Sequence, residues 1–192
     1  MKEVLNIVVD VSGSMIEMGK IHLLRNLCSY ASQLKLLKYA NNTDLEIRFF
    51  QWSEDIVSLT VQEDGGLPMF SAEGSACLNS LTQFISESLS AAVPHKLLLL
   101  SDGFFNSSDL RDFQAQRSSC SNVLIRAVAV GADAQLQKLS KLSSNGSVFL
   151  SENIASAIDS TLFGNDERTS APASTAQIKQ EDLEDSEDDW DA

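Results

Sequence analysis

Two short stretches of this chain carry acids and hydroxyls at spacings that suit a cation. Asp10-Val11-Ser12-Gly13-Ser14-Met15 sets a carboxylate and two hydroxyls two residues apart. Alternate residues of an extended segment point to one side, so Asp10, Ser12 and Ser14 can converge on one point. A second acid follows much later in Ser101-Asp102-Gly103. Two carboxylates and two hydroxyls make a hard-oxygen set, suited to Mg²⁺ or Mn²⁺ and poor for zinc. The competing reading is turn chemistry alone, with Asp10 as a helix N-cap and Ser12 and Ser14 as turn formers. Asp102, at the end of a second strand, weighs against that reading.

The elements that must position these residues are legible in the hydropathy pattern. Residues 4–9 (VLNIVV) are apolar and β-branched with no wet side, as a central parallel strand requires. From 20 to 39 the period becomes helical: Leu23, Leu27, Tyr30, Leu34 and Leu37 form the expected inner face, and His22, Arg25, Asn26 and Ser29 the outer one. Asn41 and Asn42 break that helix. Residues 45–52 (LEIRFFQW) and 56–61 (IVSLTV) read as antiparallel neighbours joined by a tight turn at 53–55. A polar loop with Gly65, Gly66 and Pro68 follows. Leu78, Leu81, Ile85 and Leu89 mark a second helix. Residues 96–101 and 123–130 are further buried strands, 134–142 a short helix, 148–150 a strand and 153–162 a last helix. Strands alternating with helices predict a doubly wound α/β sheet, mainly parallel with one antiparallel edge strand and helices on both faces. In such a sheet, ligands gather outside the carboxyl ends of the strands, where the winding reverses; Asp10 and Asp102 both fall there.

Composition narrows the function. The 192 residues carry 27 acidic and 14 basic side chains, a net charge of −13, and a pI near 4.4. That opposes a nucleic-acid phosphate binder and docking to anionic lipid; it fits cations or basic partners. The acid is uneven, with a net of −5 over residues 1–163 and −8 over 164–192. After Gly164 the periodicity vanishes, so residues 165–192 are expected to form a disordered acidic tail behind a domain spanning 1–164. Trp190 in that tail is a candidate anchor for a basic partner surface, and the commoner role of such a run is solubility. Cys28, Cys77 and Cys120 lack CxxC spacing and read as reduced thiols and small hydrophobes, which with the absence of a leader pattern leads us to expect a cytoplasmic protein. No apolar run approaches the ~20 residues that span a bilayer. His22 and His95 read as surface residues.

The body of the chain, residues 1–164, resembles the von Willebrand factor A (vWA) domain, whose metal-ion-dependent adhesion site pairs a DxSxS turn with a distant Thr and a later Asp in a T/S-D-G turn. DVSGS supplies Asp10, Ser12 and Ser14, and SDG supplies Asp102. The family's Thr commonly opens a helix after a Gly; the match here is Gly74-Ser75, before a helix expected from Ala76, with Ser71 or Glu73 as alternatives. The resemblance implies a recognition module in which serines touch the metal, aspartates act largely through water, and one position stays open for a partner's carboxylate. Neutral hydroxyl ligands leave the cation's charge poorly compensated, so it seeks an anionic ligand. Small vWA proteins of this kind resemble scaffolds in prokaryotic stress and signalling systems, beside kinase–phosphatase pairs or AAA+ ATPases.

The rival reading is an Mg²⁺-dependent phosphotransferase or phosphatase of the haloacid-dehalogenase type, with Asp10 as nucleophile. That chemistry calls for a second carboxylate two residues on, where this chain has Ser12, and no GxSxG, HExxH or P-loop occurs elsewhere. A third reading is a structural subunit with a degenerate site.

Overall fold

A computed structural model describes residues 3–39, 44–62, 66–89, 94–117 and 122–164. The acidic segment 165–192, Trp190, Cys120 and the Asn41–Asn42 helix breaker lie outside the described residues. Strands β1 (Glu3–Asp10), β2 (Leu45–Trp52), β3 (Ile56–Leu59), β4 (His95–Ser101), β5 (Val123–Ala129) and β6 (Val148–Leu150) form one sheet in the order β3-β2-β1-β4-β5-β6. All neighbours pair in parallel except β2 and β3, joined antiparallel from Phe49↔Leu59 to Trp52↔Ile56. The winding reverses between β1 and β4. Both strands therefore end at the crevice where the sheet order predicts a ligand site.

The apolar strands are buried on both sides because helices cover both faces. Leu5, Ile7 and Val9 of β1 and Leu98 and Leu100 of β4 face α1 (Lys20–Leu37) and α5 (Ile154–Phe163). Val8, Leu97, Leu99, Ile125 and Ala127 face the opposite layer, α2 (Leu78–Gln83), α3 (Ser107–Arg117) and α4 (Leu136–Leu142). Trp52 is fully buried in this second layer, and its indole N–H donates to the Cys77 carbonyl at 2.9 Å. That bond satisfies the one polar atom of a side chain whose burial otherwise contributes about 2–3 kcal/mol.

Three expectations need correction, and one helix lies where the sequence pattern predicts none. The buried stripe of α1 is Leu24, Leu27, Cys28, Ala31 and Leu34, whereas Tyr30 and Leu37 are exposed at 40% and 80%. The small residues Cys28 and Ala31 let the helix approach the sheet there, which rotates the stripe away from the larger Tyr30. The second helix begins at Leu78, not Ala76, and continues as a π-helical turn over Phe84–Ser88. The strand expected over 56–61 stops at Leu59. Finally, a helix lies between β4 and β5: α3 buries only Leu110 and Phe113 and is otherwise polar, so its periodicity is faint.

The sheet edges are short. β3 covers only Phe49–Trp52 of β2, β6 has three residues, and the uncovered half of β2 carries the Arg48–Glu46 ion pair, Nε to Oε1 at 2.9 Å. Among the described residues no helix is long and apolar enough to cross a membrane.

Candidate functional site

β1 delivers Asp10 to the crevice with no exposed surface, and the chain then turns sharply. The Asp10 Oδ1 accepts the Ser12 N–H at 2.9 Å, closing an Asx turn, and Oδ2 accepts the Ser101 hydroxyl at 2.6 Å. Asp102 repeats the motif at the end of β4: Oδ1 accepts the Phe104 N–H at 3.1 Å. Its Oδ2 accepts the Lys20 ammonium at 2.8 Å, and Asp102 is likewise fully buried. Asp10 thus closes a turn and is not the helix N-cap of the competing reading, since α1 starts ten residues later behind Gly19. Surface turns do not need two buried carboxylates side by side.

Between Ser12 and α1 runs an irregular segment, Gly13–Gly19, that passes through left-handed Met18 (φ 52°) and Gly19 (φ 72°). Met18 carries a side chain in that region, 78% exposed, at a cost of about 1–3 kcal/mol. The two hydroxyls, Ser12 Oγ and Ser14 Oγ, lie 3.3 Å apart. Ser12 is buried and Ser14 half-buried, so the pair sits at the mouth of the crevice.

Ser75 is exposed in a loop tied to this turn by two backbone bonds, Gly13 N–H to Gly74 O at 3.0 Å and Glu73 N–H to Val11 O at 2.9 Å. Those bonds bring Gly74-Ser75 beside the DVSGS turn. They do so from extended chain, not from the first turn of a helix, because α2 starts three residues later. Ser71 and Glu73, the alternatives, are exposed on the same loop. Next to it an open acidic cleft is lined by Ser53, Glu54, Asp55 and Glu73.

Burial pushes the Asp10 carboxyl up to about 6; hydrogen bonds from Ser101 and Ser12 hold it back, and the Asp102 charge adds to the rise. A carboxylate raised by desolvation, with both oxygens already engaged, is a poor nucleophile and a good site for a counter-cation. Ser101 is the residue that ties the two strands' acids together. Its hydroxyl donates to Asp10 and accepts the Gly103 N–H at 3.0 Å, so it orients the carboxylate and the SDG turn at once.

Two site residues have no signal in local spacing. Lys20, 1% exposed, also reaches Asp133 Oδ2 at 2.9 Å. Burial draws the ammonium down, but the hydrogen bonds and charges of Asp102 and Asp133 outweigh it and hold it above the ordinary lysine range. The same bond holds Asp133 below the usual carboxylate range. Asp133 follows the carboxyl end of β5, the third strand to end at this crevice; that position is the one cue the sequence carried.

The donor set fits a hard divalent ion: all oxygen, with paired hydroxyls and two buried carboxylates aligned by backbone N–H groups. Among the described residues no group of three His, Cys, Asp or Glu is clustered as a metal site, so any ion held here depends on the serines.

No protein-family model matches the sequence, and no curated protein sequence matches it. Solved structures do match the fold. A von Willebrand factor type A protein from Catenulispora acidiphila superposes with a TM-score of 0.57 at 14% identity, over 81% of this chain and 40% of that one. The ArnB paralog VWA2 from Sulfolobus acidocaldarius gives 0.55 at 20% identity, over 83% and 45%. Proximal thread matrix protein 1 of the mussel byssus, with a zinc-occupied MIDAS motif, gives 0.54 at 11% identity, over 84% and 47%. The chain spans less than half the length of each of these three. Its fold is that of the von Willebrand factor A domain.

Proposed function

We propose that this chain is a non-enzymatic protein-interaction module that binds partners through a divalent cation held by Asp10, Ser12, Ser14, Ser75 and Asp102. The observation that carries the reading is the oxygen cluster at the reversal of strand order in a vWA fold, with two buried carboxylates and a hydroxyl pair at its mouth. Mg²⁺ or Mn²⁺ suits these ligands, and when bound it offers one coordination position to a partner's Asp or Glu. The mussel protein, which shares this fold, has a zinc-occupied MIDAS motif, and that supports the reading of a divalent-ion site. The surroundings suit binding more than turnover. Ile16, Met18 and Phe104, at 62%, 78% and 42% exposure, expose apolar surface on the turns after β1 and β4, as recognition surfaces do. Asp10 has both oxygens engaged and Ser12 stands where a phosphotransferase needs its general acid, which leaves the nucleophilic reading without support. The reading extends to a cytoplasmic scaffold in a prokaryotic stress or signalling system, with a kinase–phosphatase pair or an AAA+ ATPase as partner, and to a 165–192 tail that contacts a basic partner surface.

Calorimetric titration with Mn²⁺ tests the site. Wild type is expected to bind one ion, and Ser12→Ala/Ser14→Ala to lose it while keeping its circular dichroism. Equal binding by both proteins overturns the assignment. Capture of a partner in Mg²⁺ but not in EDTA, lost when the partner's acid becomes an amide, tests the bridge.

A further inference from the structure

Lysine is almost never fully buried without a partner, and Lys20 is buried with two. A pocket is built around its ammonium by two separate segments, the turn after β4 and the loop after β5. Asp102 comes from the end of β4, Asp133 from the end of β5, and the Phe104 ring centroid lies 5.2 Å from Nζ. The lysine stem runs against Gly131, where a Cβ would fall 2.6 Å from Cδ and 2.9 Å from Cγ; Gly131 has φ +96°, so the backbone itself is shaped to leave that channel open. The protein thus fixes a permanent positive charge on one oxygen of a candidate metal ligand.

We infer that Lys20 is a positioning residue that restrains the site's affinity for a divalent cation: it holds Asp102 in register and cancels part of the negative charge that draws the ion. The inference rests on the proposed metal site and adds a setting to it. A cation one carboxylate away repels a divalent ion in a poorly screened interior, and its removal strengthens binding by about tenfold or more. Asp133 acts in the opposite sense, since its carboxylate shares the ammonium and offsets its charge. A site restrained in this way binds its ion weakly until a partner's carboxylate adds the missing negative charge.

The test is Mn²⁺ binding and Mn²⁺-induced thermal stabilisation of the full chain as wild type, Lys20→Met, Asp133→Asn and Ser12→Ala/Ser14→Ala. Lys20→Met is expected to bind Mn²⁺ about tenfold tighter or more and to gain more in Tm from it than wild type does. Asp133→Asn keeps the lysine and removes its outer partner; it is expected to bind Mn²⁺ several-fold more weakly. A merely structural Lys20 lowers the Tm of Lys20→Met and leaves its Mn²⁺ affinity unchanged or reduced, which overturns the inference. Should Lys20→Met not fold, unchanged or tighter Mn²⁺ binding by Asp133→Asn overturns it instead. Binding that is lost in the serine variant but indifferent to Lys20 and Asp133 overturns this inference and leaves the metal site standing. No binding by any of the four overturns the metal site as well.

Discussion

Ser101 shows how one hydroxyl can decide the state of a site. It is fully buried, donates to Asp10 and accepts from the Gly103 backbone. Ser101→Ala leaves a buried carboxylate oxygen without its donor, at a cost of about 1–3 kcal/mol. The expected result in urea denaturation is a lower midpoint with an unchanged slope, and an unshifted midpoint would show that the bond adds nothing. Cys28 is a residue of the opposite kind. It sits with no exposed surface on the inner face of α1, and burial pushes its thiol up to about 12. Native protein treated with iodoacetamide at neutral pH should therefore carry no label on the Cys28 peptide, whereas denatured protein should be labelled fully; native labelling would contradict the packing of α1. The sequence reading that treated Cys28 as a small hydrophobe rests on the same physics, since an isolated thiol without a cationic neighbour has nothing to stabilise its thiolate.

Between elements, the loop after β5 and the start of α1 are matched through Gly131. A methyl group there meets both the lysine stem and a carboxylate oxygen of Asp133 at 2.8 Å, on a backbone with positive φ. Gly131→Ala should cost about 1–3 kcal/mol in unfolding free energy, and a variant as stable as wild type would mean that the channel yields. At the far end of α1, Lys38 and Tyr39 grip Asp159 of α5. Burial pushes the Tyr39 phenol up and the Asp159 carboxylate raises it further. The stability Tyr39 contributes is therefore whole below its unfolded value of about 10 and lost as pH rises beyond it. Burial also pushes Asp159 up, but hydrogen bonds from Lys38 and Tyr39 outweigh it and hold it low, so its contribution is present above the unfolded carboxylate range and fades only in acid. Wild type should lose more stability than Tyr39→Phe between neutral pH and the alkaline range; parallel curves would dissociate the clamp from the titration. The strands were legible because fully buried parallel strands are apolar without alternation, a pattern that survives without tertiary knowledge. Helices were less so. Helical spacing alone admitted Tyr30 and Leu37 and so misplaced the stripe of α1, and α3, with two buried residues among charges, offers almost no period. The site divides the same way: Asp10, Ser12, Ser14 and Asp102 announce themselves by spacing at strand ends, whereas Lys20 meets Asp102 and Asp133 only through the winding of the sheet.

At the scale of the molecule, both apolar layers are filled, among the described residues, by buried side chains between Leu5 and Leu162. A chain truncated after Gly164 should unfold in one cooperative step, with its single remaining tryptophan, Trp52, emitting at short wavelength as a fully buried indole does. Red-shifted emission in the native truncated protein would place structural weight on the acidic segment. The sheet's margins carry a different consequence. β3 offers four residues and β6 three, and the bare half of β2 presents Glu46 and Arg48 locked to each other. A neighbouring copy that tried to add a strand would find few backbone groups to pair with and charges to desolvate first. Among the described residues, the folded sheet is therefore a poor template for cross-β polymerisation, and unfolding chains would seed ordered fibrils more readily.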